Sequence, residues 1–554
     1  MKQKTLTQSL SWLHTWSGLI FGWLLFAIFL TGTLAVFDKE IDAWMRPELP
    51  TQLIDQTEAA QRALDYLAAR HPDASAWNIG LPTERSPSLS VSAGEQRRGG
   101  GQYLDPHSGE PLEARETAGG GFFFRFHFTL NMPRNIGIWV VGLAAMAMLV
   151  ALISGIVIHK KIFKEFFTFR PAKGQRSWLD AHNATGVLLL PFHLMITYTG
   201  LVIFYLIYMP AAMDALFDGD RDALFRELRG APAEQRAEAG RQPTLAQHGE
   251  QSGERAERQN GASERPAGRG ERPNGQGGRA GEQSRPAAEA APLTALGPLL
   301  AEAERVIGPV AGLSIQNPGR SDARIGVRPV LGNRIELTKG QSMQFDGVSG
   351  AVLRMPTESR PSQLTQRVMA GLHFAQFGGY PMRWLYFLCS LASCAMIATG
   401  LVLFTVKRRR RHEAEGAVGA LLYRVAERLN IAVVAGLALA CVGLLWANRL
   451  LPVELAQRGG WEVRVFFLVW LATLGHAIVR PWLQAWREQL GLAAALCLGL
   501  PLLNLAGMVR GSHFWLEASA VALGALLAWT CWKVGQPPQQ RPARRAAKTL
   551  AEAN

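Results

Sequence analysis

Long apolar stretches recur along this chain, and they constrain its fold more than any other feature. A helix rises 1.5 Å per residue, so about 20 apolar residues are needed to cross ~30 Å of hydrocarbon. Four stretches of this kind lie in the first part of the chain, at residues 12–37, 136–158, 185–209 and 380–406. Four more follow, at 429–451, 463–479, 490–508 and 514–532. We therefore predict a polytopic α-helical membrane protein with eight spans.

Basic residues beside the spans predict the topology. Lys2 and Lys4 precede the first span, Lys160 and Lys161 follow the second, and a basic run follows the fourth. By the positive-inside rule these short segments are cytoplasmic, as are both termini. The first apolar run is too long for a signal peptide and no cleavage site of small residues follows it, so we expect an uncleaved anchor. The two large loops are then extracytoplasmic.

The composition excludes several classes of protein. The net charge is +14, yet no Lys/Arg run is interleaved with aromatic residues, which argues against nucleic acid and favours contact with anionic lipid. All five cysteines fall within apolar stretches, and none belongs to a CxxC or CxxCH motif. This pattern argues against a disulfide framework, a zinc ribbon and covalently attached haem.

The chain also repeats itself. Three residues around the first span recur around the third at a constant offset of 168 positions: His14, Gly18 and Thr31 match His182, Gly186 and Thr199. Each span is followed by a loop with an amphipathic stretch, at 57–70 and 296–306, and a strand–turn–strand pattern, at 104–110 and 345–351. The second and fourth spans share a late small-residue pair, Ser154-Gly155 and Thr399-Gly400. We predict two units of span, small α+β loop domain and span, packed around a pseudo-two-fold axis.

These patterns give a domain layout. It consists of a first span at 1–37, an extracytoplasmic loop domain at 38–135, a second span at 136–159, a cytoplasmic loop at 160–184, a third span at 185–209, a second extracytoplasmic domain at 210–379, a fourth span at 380–406 and a four-span region at 417–535. Residues 230–291 are rich in Arg, Glu, Gln, Gly, Ala and Pro, and they are predicted to form a disordered linker.

Six histidines lie in or beside the first four spans: His14, His127, His159, His182, His193 and His373. An ionisable residue in such a place is a functional-site hypothesis, because its polar groups are costly in a membrane without partners. Neutral imidazoles on facing helices can hold both axial positions of a b-type haem. The repeat pairs His127 with His373 near the outer surface. Near the inner surface it pairs His14 with His182, and His159 is a further candidate at that height. His193 is a candidate deeper in the membrane, because eleven residues of one straight helix place it on the same face as His182.

The surroundings suit a flat ring. Gly18, Gly22 and Gly186 continue the faces of the inner histidines, and phenylalanines surround His127. Pro191 is expected to kink the third span. The simpler interpretation is that the histidines only hydrogen-bond neighbouring helices and that the glycines allow close packing.

These motifs resemble the PepSY-associated transmembrane family over about residues 1–412, with PepSY-like loop domains. The closest resemblance within that family is to inner-membrane ferrisiderophore reductases of the pyoverdine-reductase type. The resemblance implies a location in the bacterial inner membrane, with both large loops in the periplasm. It also implies haem b, carrying electrons across that membrane to reduce a ferric siderophore in the periplasm and promote iron release. The four-span tail and the 230–291 insertion depart from shorter members.

The expected function is thus a haem-dependent transmembrane ferric-siderophore reductase with two haems, a third being left open. No nucleotide-binding motif is present, so the electron donor is expected to be quinol or a cytoplasmic reductase. The loop domains would hold the chelate or bind a periplasmic partner that takes the iron or siderophore. No catalytic residue is assigned. Two other hypotheses stand beside this one: a proton-coupled transporter with a histidine relay, and a PepSY-based regulator anchored by its spans.

Overall fold

The computed structural model describes most of the chain. Its described residues are 5–94, 101–159, 174–208, 289–332, 334–338, 341–356, 359, 361–409, 412, 415–503 and 513–536. The chain separates into two compact units, one formed by Met1–Pro210 with Pro292–Asn554 and the other by Ala211–Ala291. Nearly all of the second unit, and with it most of the predicted linker, lies outside the described residues.

The first half begins with a long helix. Helix α1 spans Leu6–Ala35 and starts at a capping box, in which the Thr5 side chain accepts from the Gln8 backbone N–H while the Gln8 side chain accepts from that of Thr5. It is followed by the shorter helices α2 (Asp38–Trp44), α3 (Gln56–Arg70) and α4 (Gly121–Thr129), and then by the long helix α5 (Arg134–Ile158).

The second half has the same order of helices. It contains α6 (Gln175–Leu188), α7 (Leu190–Ile203), α8 (Tyr205–Tyr208), α9 (Leu296–Ile307), α10 (Pro361–Phe374) and α11 (Gly379–Arg408). Helices α6 and α7 are bent by 66° at the break between them. Pro191 lies in the first turn of α7, so the predicted kink in the third span is confirmed.

The long helices of both halves form a ring of four. Helix α1 packs against α5 and α11, α5 packs against α7, and α11 packs against α6. Helix α4 lies against α1, and α10 lies against α7, so each half contributes one short helix to the same end of the ring. We call this end the sheet side, because α4 and α10 directly follow strands of the β-sheet in the chain. The opposite end is the far side.

The tail adds further helices. Helix α12 (Gly416–Asn430) continues through a π-helical turn at Ile431–Ala435 into α13 (Gly436–Leu450). Helices α14 (Arg458–Val479), α15 (Trp482–Gly499) and α16 (Phe514–Gly535) follow.

Fewer spans are seen than the sequence predicts. Within the described residues, six helices are long and apolar enough to cross a membrane, or seven if the bent pair α6 and α7 is one span. The predicted span at 490–508 is the one without a qualifying helix. Its residues 490–499 belong to α15, residues 500–503 follow that helix, and the remainder lies outside the described residues.

The two loops share one antiparallel sheet of eight strands in the order β4-β3-β2-β1-β5-β6-β7-β8. Its strands are β1 (Ala76–Gly80), β2 (Leu89–Ala93), β3 (Gln102–Leu104), β4 (Pro111–Leu112), β5 (Val310–Gln316), β6 (Arg324–Pro329), β7 (Met343–Asp346) and β8 (Val352–Arg354). Strands β1 and β5 pair antiparallel from Ala76 with Gln316 to Gly80 with Gly312. The sequence predicts a separate module in each loop, whereas this pairing joins their strands into one sheet.

Alternating apolar residues hold the sheet to its helices. Ile79, Val91, Leu313, Ile325 and Phe345 point to one face and are buried under α3 and α9. Both predicted amphipathic stretches are helical, and both predicted strand–turn–strand segments are present as β3–β4 and β7–β8.

Candidate functional site

Four histidine rings lie against glycines of neighbouring helices. A Cβ placed on any of these glycines would come within 3.2 Å of a ring atom. The distances are 2.6 Å from Gly32 to His127, 3.2 Å from Gly155 to His14, 2.9 Å from Gly200 to His373 and 3.0 Å from Gly400 to His182. Each glycine follows Thr or Ser in the chain. The same contact therefore recurs four times, twice at each end of the ring.

The Nδ1 atom of each of these rings is also anchored. In three cases the partner is a backbone carbonyl four residues before the contacted glycine, at 2.7 Å from His127 to Ile28, 2.9 Å from His14 to Ala151 and 2.8 Å from His182 to Met396. For His373 the partner is the Thr199 hydroxyl, at 3.1 Å, and the Ile196 backbone also bonds the ring.

These bonds select one tautomer. A carbonyl oxygen only accepts, so the Nδ1 atom facing it must carry the proton. The Nε2 atom of a neutral ring then carries the lone pair. No hydrogen bond is made by Nε2 in any of the four rings, as far as the described residues extend. An Nδ1–H bonded to a carbonyl is the usual support for an imidazole that binds a metal through its other nitrogen.

The histidines form two facing pairs. On the sheet side, the ring centroids of His127 and His373 are 6.0 Å apart, with 36° between the ring planes. On the far side, those of His14 and His182 are 6.2 Å apart, with 70° between the planes. We call these the sheet-side pair and the far-side pair. Each pair takes one imidazole from each half of the chain.

Both pairs have the spacing of two axial ligands. Metal–imidazole bonds of about 2 Å and ring radii of about 1.1 Å place the centroids roughly 6 Å apart when one ion lies between the rings. In the described part of the chain, no group of three or more His, Cys, Asp or Glu side chains could hold a metal ion. Each pair can therefore supply two nitrogens, and the other ligands would have to come from a macrocycle. These donors fit a b-type haem.

Burial keeps the sheet-side rings neutral. His127 and His373 lie on α4 and α10, which precede the spanning helices α5 and α11. Burial lowers the pKa of His127, and it lowers the pKa of His373 to about 3, with His127 adding to the effect. A neutral imidazole has the lone pair that axial ligation needs.

The two remaining candidates, His193 and His159, lie outside the two facing pairs. The Nε2 atom of His193 lies 2.9 Å from the Ser393 hydroxyl, within a fully buried environment. Its predicted alignment with His182 assumed one straight helix, and the bend between α6 and α7 removes that relation. His159 follows the last residue of α5, where its backbone N–H donates to Gly155 at 3.2 Å.

The glycines that the sequence associates with a flat ring have different environments. A Cβ on Gly22 would meet Leu401 at 2.8 Å, so Gly22 is a close-packing position. Gly186 faces Met396, and a Cβ on Gly18 would meet nothing within 4 Å. Around His127, Phe122, Phe123 and Phe126 are buried, but Phe124 is exposed.

Sequence reasoning missed what supports the rings. The Thr/Ser-Gly pairs are visible as repeated motifs, yet their role as ring contacts is not apparent without the packing. The Nδ1 partners are mainly backbone carbonyls, and any residue type supplies a carbonyl. Their regular position, four residues before each glycine, is visible only once the packing of the helices is known.

These features define a multi-pass membrane protein with paired imidazoles inside its helix ring. The family model described as PepSY-associated TM region matches residues 11–407. Because this match covers more than half of the chain, the protein belongs to that family. No curated protein matches the chain.

Proposed function

We propose that this protein is a b-type haem oxidoreductase that passes electrons across the bacterial inner membrane and reduces a ferric siderophore in the periplasm. One observation carries the proposal: two facing imidazole pairs lie at opposite ends of one helix ring, each with the spacing of axial ligands. His127 and His373 would hold one haem, and His14 and His182 the other. When bound, haem supplies reversible one-electron chemistry at its iron.

The chain's own residues set the orientation of each ligand. The carbonyls of Ile28, Ala151 and Met396 hold the proton on Nδ1 and prevent rotation of the rings. The facing glycines allow the rings to lie directly on the neighbouring helices. Little rearrangement would be needed on electron transfer, because both rings of each pair are already fixed.

Helix α1 connects the two sites. It carries His14 and also the Ile28 carbonyl that anchors His127. Fourteen residues of helix separate these positions, which is roughly 21 Å along the axis. A bilayer core of about 30 Å would thus be crossed in shorter steps.

The direction of electron transfer follows from the side of the membrane on which the sheet lies. We place the sheet side in the periplasm and both termini in the cytoplasm, as the basic flanks of the spans indicate. Quinol or a cytoplasmic reductase would then donate electrons on the far side. Siderophore oxygens are hard ligands that hold Fe(III) better than Fe(II), so one electron loosens the chelate. A periplasmic partner could then collect the iron or the siderophore.

Redox-titrated absorption spectra of the detergent-solubilised protein test this proposal. We expect two b-type haems per chain with bis-imidazole spectra, and one haem in the His373→Ala variant. In liposomes with a reductant inside, the wild-type protein should reduce an external ferric siderophore. A colourless protein purified from haem-replete cells would refute the proposal, and two haems in His373→Ala would refute the sheet-side pairing.

A further inference from the structure

The tail contacts the chain segment that leads into α4. Residues 115–119 run from strand β4 to the start of this helix, which carries His127. The Glu462 carboxylate of α14 accepts from the Thr117 hydroxyl at 2.6 Å and from the Ala118 backbone N–H at 2.8 Å. A Cβ on Gly459 would lie 2.9 Å from the Ala118 nitrogen, so the two backbones are in direct contact.

Glu462 belongs to a larger polar network. Its second oxygen accepts from Arg458 at 2.6 Å and from the Asn448 amide at 2.8 Å. Arg458 also donates to the Glu116 carbonyl, and Asn448 to the Thr117 hydroxyl, both at 3.1 Å. The side chains of Arg458 and Glu462 are completely buried. Buried charges are costly unless all their groups are paired, so this arrangement favours one geometry of the segment.

An aromatic contact extends from the same helix of the tail. One turn beyond Glu462, the Phe466 ring lies 4.9 Å from Phe122 and 5.6 Å from Phe126, measured between centroids. Phe126 directly precedes His127. Helix α14 thus contacts both the segment before α4 and the buried face of α4 itself.

We infer that Glu462 is a positioning residue for His127. By holding residues 115–119, it sets the position of α4 and hence the orientation of the sheet-side imidazole. Because it supports one ligand of the sheet-side pair, its loss should affect that site and leave the far-side pair unchanged. The inference rests on the proposed haem function and assigns the tail a part in that site.

Two variants test the inference in the full-length protein. Thr117→Val removes the hydroxyl without leaving a new charge, and Glu462→Gln removes the carboxylate. Glu488→Gln is the matched control, because Glu488 pairs with Arg480 and His476 on exposed parts of the same tail. Thr117→Ser keeps the hydroxyl and should restore wild-type behaviour.

Amide hydrogen exchange and haem spectroscopy give separate measurements. In Thr117→Val, exchange within Gly121–Thr129 should accelerate by at least about tenfold, since the hydroxyl's three hydrogen bonds, with Glu462, Asn448 and the Gly119 backbone N–H, are lost. Exchange in α10 should not change. The midpoint potential and electron paramagnetic resonance signal of the sheet-side haem, identified as the one that His373→Ala removes, should shift, while those of the far-side haem stay constant.

The outcomes separate the two proposals. Unchanged exchange in α4 and an unchanged sheet-side signal in Thr117→Val would overturn the positioning role, as would equal effects of Glu488→Gln. If Glu462→Gln does not fold, Thr117→Val and its Ser rescue still decide the question. The exchange experiment needs no haem, so a colourless wild-type protein would refute the proposed function and not the contact itself.

Discussion

The ring of His127 lies directly on Gly32, where a Cβ would come within 2.6 Å of its Nδ1 atom. No residue larger than glycine can occupy this position unless the ring moves. The same relation holds at the other three histidines of the two pairs. Each ring is thus held between a glycine and a hydrogen-bond acceptor, a combination that fixes both its position and its protonated nitrogen.

Replacing Gly32 by Ala should displace His127. We expect the sheet-side haem to be lost or its spectrum to change, with the far-side haem unaffected. Haem content and redox-titrated spectra would measure this effect. Gly475→Ala is the control, because a Cβ there meets nothing within 4 Å. An unchanged sheet-side spectrum in Gly32→Ala would contradict the ring contact.

The far-side pair should behave as one unit. His14→Ala and His182→Ala should each reduce the haem content from two to one per chain, and the double variant should lose nothing more, because both rings serve one site. Pyridine haemochrome assays would measure this content. If each single variant kept both haems, the far-side ligands would have to be sought elsewhere.

His193 should not be required for haem binding. Its Nε2 atom faces Ser393 and not another imidazole. We therefore expect His193→Leu to retain both haems with bis-imidazole spectra, although loss of the buried hydrogen bond should lower stability by about 1 kcal/mol. Haem quantification and thermal unfolding would show both effects. A variant with only one haem would make His193 a ligand after all.

Glu40 should make stability depend on pH. Its carboxylate, just after α1, pairs with Arg85 of the β1–β2 loop at 2.8 Å. Burial would raise its pKa, but the hydrogen bond and charge of Arg85 outweigh burial, so the pKa of Glu40 is lowered. A lowered pKa means that the pair stabilises the folded state above the ordinary Glu pKa of about 4.3, and that this contribution disappears as the pH falls further.

The Arg85→Gln variant checks this pH dependence. We expect its unfolding temperature in detergent to be lower than that of the wild type at pH 7, with a free-energy difference of about 3 kcal/mol. The difference should shrink as the pH falls below the ordinary Glu pKa and through the lowered pKa of Glu40, because the carboxylate then becomes protonated. A difference that stayed constant from pH 7 to pH 3 would show that Glu40 does not contribute through its charge.

Much of the site is present in the sequence as local patterns. The histidines of both pairs, the Thr/Ser-Gly motifs and the kink at Pro191 can all be identified from spacing alone. Their partners cannot. The anchors of the rings are backbone carbonyls on other helices, which no residue pattern marks. The helical arithmetic for His193 also fails because a 66° bend interrupts the helix that it assumed.

The fold, like the site, is only partly predictable from the sequence. The sequence predicts the strand–turn–strand segments of β3–β4 and β7–β8 and, from their amphipathic pattern, the two covering helices, but it does not predict the four central strands. The pairing of Ile79 with Leu313 joins residues more than 200 positions apart, and nothing in either strand specifies the other. The packing of α14 on α4 is likewise unpredictable, since an apolar helix face is compatible with many neighbours.

The β1–β5 pairing has a consequence for biosynthesis. During translation at about 5–20 residues per second, β1 would be made roughly 10–45 s before β5, its partner from the second loop. Throughout that interval one side of the nascent hairpin exposes unsatisfied amides and carbonyls, which are prone to association with other chains. Until β5 is made, the open edge of β1 is therefore a place where one nascent chain can pair with another copy.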